Sequence, residues 1–283
     1  MNKTILVGID FSACSINALE HAVSLAEKAS ANIVMIWVNR PENGKEIFRV
    51  DQEHIVAEVI SRFNALVETY KNALGEKSIS YLVKSGKVYQ EIVNAAEEID
   101  AFLIVVGTHG SSGFEEFWIG SNAFRVVVAT ERPVITIREN VDKNQTISNI
   151  VMSIDSTMES RQKVPITSLI AKYFNAKIHI LVMHTTTIDE IRQRVDDYVK
   201  QVETYLSENE IEFEKKIFET NHIANSTLEY ALSVKANLIS VMDVQETIPS
   251  NLWSGTFTQQ MVNHSPIPVL IVHKKDLIAD LSR

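Results

Sequence analysis

Short runs of consecutive apolar residues recur along the chain at about 4 to 9, 32 to 38, 79 to 84, 102 to 106 and 133 to 138. They recur again at about 149 to 154, 177 to 183, 211 to 218, 238 to 242 and 268 to 273. Runs this short that do not alternate with polar residues predict strands covered on both faces. Between them, residues 15 to 29, roughly 46 to 74, 88 to 98 and 121 to 130 place apolar side chains at three- and four-residue spacing, the pattern of amphipathic helices. Buried strands alternating with helices demand a parallel sheet with helices on both faces, because each crossover returns right-handed to the same edge. Five strands are predicted in each half of the chain.

The halves repeat one another. Ile5 to Asp10 and Ile150 to Asp155 are both apolar runs ending in Asp, 145 positions apart, and the same offset carries Ala31 to Val38 onto Ala176 to Met183. Further on the offset becomes 135, with Gly120-Ser121 matching Gly255-Thr256 and Pro133 to Ile137 matching Pro268 to Val272. About ten residues are therefore missing from the second copy between these blocks, a loss that connections tolerate far better than cores. The stretch from Arg138 to Thr146 is polar and aperiodic and reads as a linker. The predicted domains are residues 1–142 and 147–275.

Composition narrows the function classes. With 45% hydrophobic and 22% charged residues, and few Gly and Pro, the chain has the makeup of a folded globular protein. A formal net charge of −9 and the absence of a dense Lys/Arg stripe argue against nucleic acid and acidic membrane surfaces as partners. The apolar strand pattern begins at Thr4 without a signal-peptide n-region, and no apolar run reaches spanning length, so a soluble, cytoplasmic protein is expected. The single cysteine, Cys14, forbids an internal disulfide, fits a reducing compartment, and reads as a half-buried helix residue rather than a reactive thiol.

The most informative stretch follows the fourth strand: Gly107-Thr108-His109-Gly110, nine residues, then Gly120-Ser121-Asn122 opening a helix. Open α/β sheets hold ligands at the carboxyl ends of their strands, and glycine there lets backbone approach a ligand closely. The second cluster offers helix-start N–H groups and a hydroxyl to an anion, with the helix dipole favouring negative charge.

This Gly-x2-Gly-x9-Gly-Ser spacing, with an Asp ending the first strand and the preceding Val-Val, resembles the ATP-binding signature of the universal stress protein family. The resemblance spans both halves. It implies two tandem doubly wound domains of the adenine nucleotide alpha-hydrolase-like kind, each a five-stranded parallel sheet of order 3-2-1-4-5, with ATP over the carboxyl ends of strands one, two and four. It places Asp10 beside the nucleotide, Val38 offering backbone groups to adenine, Gly107, His109 and Gly110 along ribose and phosphates, and Gly120, Ser121 and Asn122 on the phosphate tail. Many members of the family carry Arg or Lys after the second glycine. Here that residue is Ser111, with Glu115 and Glu116 nearby, so phosphate neutralisation is expected to be weaker unless Mg²⁺ or Arg125 compensates. The second copy keeps Asp155 and Gly255-Thr256 but has Met242 and Gln245 where the first two glycines would stand, so no ATP, or a different ligand, is expected there.

The other candidates carry less. His109 has no nucleophile or second carboxylate placed against it, the remaining histidines lack zinc-type spacing, and Trp37, Trp118 and Trp253 read as packing residues. No catalytic residue and no protein-bound metal is assigned. The segments Pro133 to Ile137 and Pro268 to Val272 are edge strands by topology, and pairing them antiparallel would join the domains as an intramolecular pseudo-dimer, the way the family commonly dimerises. Self-association into a homodimer through other surfaces is left open. The expected function is ATP binding in a stress-response or signalling protein; the alternatives are a slow Mg-dependent ATPase or self-phosphorylating protein, and a nucleotide-free interaction scaffold. A response-regulator receiver is disfavoured, since neither its acidic cluster after the first strand nor its late lysine is present.

Overall fold

The computed structural model describes residues 3–40, 52–108, 121–142, 145–243 and 256–274. In the N-terminal half β1 (Thr4–Gly8), α1 (Ala13–Ala29), β2 (Asn32–Asn39), α2 (Gln52–Tyr70), β3 (Ile79–Ser85), α3 (Val88–Glu98), β4 (Leu103–Gly107), α4 (Ser121–Ala129) and β5 (Val134–Ile137) alternate as the sequence predicts. The C-terminal half repeats them as β6 (Asn149–Ile154), α5 (Val164–Phe174), β7 (Lys177–His184), α6 (Asp189–Glu208), β8 (Phe213–Glu219), α7 (Ile223–Ser233), β9 (Leu238–Asp243), α8 (Phe257–His264) and β10 (Val269–His273). Short 3-10 helices at Lys71–Leu74 and Met158–Arg161 follow α2 and precede α5. Expected residues 46–51, 109–120 and 244–255 lie outside the described ones.

All ten strands form one sheet of order β3-β2-β1-β4-β5-β10-β9-β6-β7-β8. Within each half the pairs are parallel, with β1 flanked by β2 and β4, and β6 flanked by β7 and β9. The two halves meet where β5 and β10 pair antiparallel, Val269 opposite Thr136, Leu270 opposite Ile135 and Ile271 opposite Val134. Each half thus loses an exposed edge to the other, as expected of two edge strands with unpaired peptide groups.

Alternate strand residues feed two apolar layers. Ile5, Val7 and Ile33 pack with Leu19 and Phe63 on the α1/α2 side, and Ile150, Met152 and Ile180 continue that layer with Ile170 and Val199 of the second half. Leu6, Ile36 and Ile104 face the opposite layer with Ile92 and Val126, continued by Val151, Leu181 and Ile239. Trp37 packs against the first of these layers; Trp118 and Trp253 lie outside the described residues.

The duplication is visible in the backbone itself. Ser30 ends α1 in the left-handed region at φ 49°, and Asn175 ends α5 the same way at φ 51°. Asp100 (φ 48°) before β4 is matched by Lys235 (φ 51°) before β9, and Gly75 (φ 60°) by Glu210 (φ 56°). Where the second copy carries Asn, Glu or Lys in this region, it accepts a modest strain that glycine would avoid. Most of the missing residues fall in one connection: residues 40–51 join β2 to α2, whereas 185–188 join β7 to α6, and the stretch after the helix is shorter too, 209–212 against 71–78.

Candidate functional site

The carboxyl ends of β1, β2 and β4 and the N-terminus of α4 open on the same edge of the N-terminal sheet, as a parallel doubly wound arrangement requires. Asp10 stands exposed at the end of β1. Its Oδ1 accepts from Ser12 N at 3.0 Å and Ser12 Oγ at 2.6 Å, and Ser12 Oγ in turn caps α1 by accepting from Ser15 N at 3.2 Å. This is an Asx turn feeding a helix N-cap, so Asp10 has a local structural task whatever else it touches. Asp155 repeats it, accepting from Thr157 N at 2.7 Å and Thr157 Oγ1 at 2.6 Å.

Phe11 takes up the cost of that turn. Its φ of 61° puts a bulky side chain in the left-handed region, where it is a true outlier. The ring is held by Phe63, centroids 5.1 Å apart, and by the Arg62 guanidinium 5.5 Å from its centroid. Nothing in the local sequence signals this conformation. The C-terminal half has Ser156 in its place, with no positive φ.

Val38 is buried on β2, which outruns its neighbour: the β1 register ends at Gly8 opposite Ile36, and Ile9 N donates to Ile36 O at 2.9 Å. Alternate residues of a strand turn their peptide groups to the same side, so Val38 presents its N–H and C=O past the end of the β1 ladder.

Gly107 has a second reason to be glycine. It pairs with Ile137 at the end of β4, and a Cβ there would lie 2.9 Å from Cys14 Sγ and 3.1 Å from the Cys14 carbonyl carbon and oxygen. Cys14, fully buried rather than half-buried, donates its thiol hydrogen to Ile137 O at 3.3 Å. The missing side chain at 107 therefore lets the first turn of α1 close on β4. His109, Gly110 and Gly120 lie outside the described residues; Ser121 opens α4, and Asn122 is half-buried in its first turn. Arg125, the candidate cation, is exposed with its guanidinium 5.8 Å from the Tyr89 ring centroid. Among the described residues no group of three His, Cys, Asp or Glu side chains is arranged to hold a metal ion.

At the corresponding edge of the C-terminal half the described side chains bond to one another and to the backbone. Thr256 Oγ1 accepts from Gln259 N at 3.3 Å while Gln259 Oε1 accepts from Thr256 N at 3.0 Å, a complete capping box on α8. Two of the helix-start donors, the N–H groups of Thr256 and Gln259, are thereby taken. Thr258 Oγ1 donates to Met242 O at 3.0 Å, and Met242 fills the α5-side layer where Gly107 leaves room for α1. The first turn after Asp155 is accordingly a 3-10 helix, and α5 begins only at Val164. Lys163, fully buried, donates to Ser160 O at 2.6 Å; burial pushes its pKa down to about 8, against the pull of Asp155. The sequence carried one readable sign of this, the Thr256-x-x-Gln259 spacing, and none of the buried lysine.

Residues 1–138 match the family model described as "Universal stress protein family". The universal stress protein YxiE of Bacillus subtilis is 31% identical over 149 residues, covering 49% of this chain and all of that protein. A universal stress protein of Methanocaldococcus jannaschii is 28% identical over 145 residues, 48% of this chain and 82% of its own length. Among solved structures, a universal stress protein from Archaeoglobus fulgidus superposes with a TM-score of 0.74 at 18% identity, covering 96% of this chain and 98% of that one. That likeness extends the fold across both halves. Among the described residues no helix is long and apolar enough to cross a membrane.

Proposed function

This chain belongs to the universal stress protein family, and from that premise we propose that its N-terminal half binds ATP while its C-terminal half has given up the nucleotide. The observation that carries the reading is the asymmetry of the two phosphate-side helices. Gln259 and Thr256 satisfy the start of α8 from within, whereas the residue matching Gln259 on α4 is Phe124, which has no group to return to the helix start. Phe124 cannot close such a box, so in this reading the first-turn N–H groups of α4 would receive an anion, with the macrodipole adding to the attraction.

The described residues fit an adenine nucleotide. Val38 supplies peptide groups at an open strand end, Asp10 lies at the same edge, and Ser121 and Asn122 begin the phosphate-side helix. His109, Gly110 and Gly120 complete the set by sequence. Mg²⁺ would neutralise the triphosphate where the chain offers few cations. The protein acts in the stress response, and nucleotide occupancy passes from one half to the other through the β5/β10 seam, with binding rather than fast chemistry as the working step.

Calorimetric titration of the intact chain with Mg·ATP tests this. One nucleotide per chain is expected, lost in Gly110→Val; two per chain would remove the asymmetry, and none would remove the reading. A γ-phosphate release time course with and without Ser121→Ala separates binding from slow hydrolysis. The nucleotide-free scaffold also has a specific observation in its favour: Asp10 and Gly107 each have a structural task independent of ligand. Adenine nucleotide released on denaturing freshly purified protein would dispose of that reading.

A further inference from the structure

Among the described residues, every left-handed non-glycine residue but one follows the C-terminal end of a helix and has a left-handed counterpart in the other half: Ser30 with Asn175, Asp100 with Lys235, and Glu210 with Gly75. Phe11 is the exception. It precedes a helix, and Ser156, which takes its place in the second copy, has no positive φ. A bulky residue in this region persists only where its surroundings over-determine it. Here they do. The ring lies 5.1 Å from that of Phe63, which is fully buried and stacked on Tyr81 of β3 at 4.7 Å, and the Arg62 guanidinium covers it.

The strained turn is not needed for the Asx turn itself, since Asp155 makes the same pair of bonds without it. What differs is how the following helix starts. After Phe11, Ser12 caps α1 at once, and Ile16 N donates to Ser12 O at 3.0 Å to close its first turn. After Ser156 the chain runs through a 3-10 turn, and α5 begins only at Val164, past the position that matches Ala18. The prompt start of α1 puts Cys14 against Gly107, its thiol donating to Ile137 O at 3.3 Å. It also brings Ser15 Oγ within 3.3 Å of Asp10 N, which donates to it. The left-handed turn thus fixes two parts of the edge together, the Asp10 carboxylate and the helix end packed on the last residue of β4.

We propose that Phe11 is a positioning residue for the nucleotide site, acting through its backbone: the left-handed turn, held by Phe63 and Arg62, sets Asp10 and the first turn of α1 in the arrangement the nucleotide requires. The inference rests on the reading of the N-terminal half as the ATP-binding one. It explains why the strain is kept in that half alone.

The test compares Phe11→Gly, Phe11→Asn and Phe11→Ala in the full chain, by Mg·ATP calorimetry and urea unfolding. All three lose the ring contacts and should unfold at lower urea. Their affinities should separate by tolerance of the left-handed region. Phe11→Gly is expected to bind within about threefold of the unmutated chain, because glycine takes this φ without a steric cost. Phe11→Ala should bind roughly five- to thirtyfold more weakly, since only a fraction of molecules then holds the competent turn. Phe11→Asn should fall between them. A role in packing alone gives no such order, because alanine keeps more apolar surface than glycine. Circular dichroism confirms folding, and if Phe11→Ala does not fold, tighter binding by Phe11→Gly than by Phe11→Asn decides. Alanine binding as tightly as glycine, or equal affinity in all four proteins, overturns the positioning role while leaving the nucleotide reading intact. Failure of the unmutated chain to bind Mg·ATP at millimolar concentration is the distinct result that removes that reading, and this inference with it.

Discussion

Lys163→Met converts the closed state of the C-terminal half into a measurable free energy. The ammonium group is wholly buried, its one hydrogen bond runs to Ser160 O at 2.6 Å, and its pKa falls from 10.5 to about 8 because burial outweighs the attraction of Asp155. At about 1.4 kcal/mol per pKa unit the folded protein carries a penalty of about 3 kcal/mol for holding that charge. The sign follows from proton counting. Between pH 8 and 10.5 the unfolded chain holds a proton on this lysine that the folded chain has released, so folding stability from this group rises with pH across that window. Below pH 8 the penalty is present in full. Methionine fills comparable volume without charge, and leaves Ser160 O without its donor at a cost of about 1 kcal/mol. Lys163→Met should therefore stabilise the protein by about 2 kcal/mol at pH 7, and destabilise it slightly near pH 10.5. Urea unfolding of both proteins at the two pH values reads this directly, and the difference between them cancels every other titrating group. Equal destabilisation at pH 7 and at pH 10.5 would show that the lysine contributes through packing and its hydrogen bond, and that no desolvation penalty is held there.

Gln259→Ala should cost about 1 kcal/mol in urea unfolding by breaking the α8 capping box, without creating a second ATP site in calorimetry, since Met242 and Gln245 remain. Gly107→Ala forces a Cβ to 2.9 Å from Cys14 Sγ and should destabilise by about 1–3 kcal/mol with or without nucleotide. Adding Cys14→Ala should restore only part of that loss, because the Cys14 backbone lies almost as close; full recovery would show that the sulfur alone sets the limit. Asn17→Ala removes an amide that donates to the carbonyls of Arg138, Glu139 and Val141 at 2.9, 3.1 and 3.0 Å. A loss of about 1–3 kcal/mol is expected, with faster amide exchange in residues 138–142 than elsewhere in the N-terminal half.

What could be read from the sequence was whatever depends on periodicity or on repetition. The strands begin within a residue or two of the predicted positions, since a doubly covered strand writes its burial as an unbroken apolar run. The β5/β10 seam was legible too, because duplication supplies two equivalent edge strands whose unpaired peptide groups satisfy each other. Helix α1 begins at Ala13 rather than 15, the extra turn coming from the Ser12 cap, a contact between side chain and backbone that apolar spacing does not record. The single cysteine is deeper than expected because its neighbour across the fold, Gly107, has no side chain to hold it off.

The site divides along the same line. Asp10, Val38 and the start of α4 were singled out by the family resemblance, and they lie at the carboxyl ends of β1 and β2 and on the helix that follows β4. The left-handed Phe11 and the buried Lys163 each depend on surroundings that the local sequence does not specify: Phe63 and the interior under Asp155. A local pattern cannot encode them. At both of these places the copies also differ in chemistry, with Ser156 replacing Phe11 and Ala18 standing where Lys163 would fall. A duplicated fold has one frame held by two apolar layers, and that frame tolerates change only where side chains meet at strand ends or at the seam. A half whose edge carries a capping box and a buried amine still serves as the other half's sheet partner, because the β5/β10 pairing is made by backbone groups that those side chains do not touch.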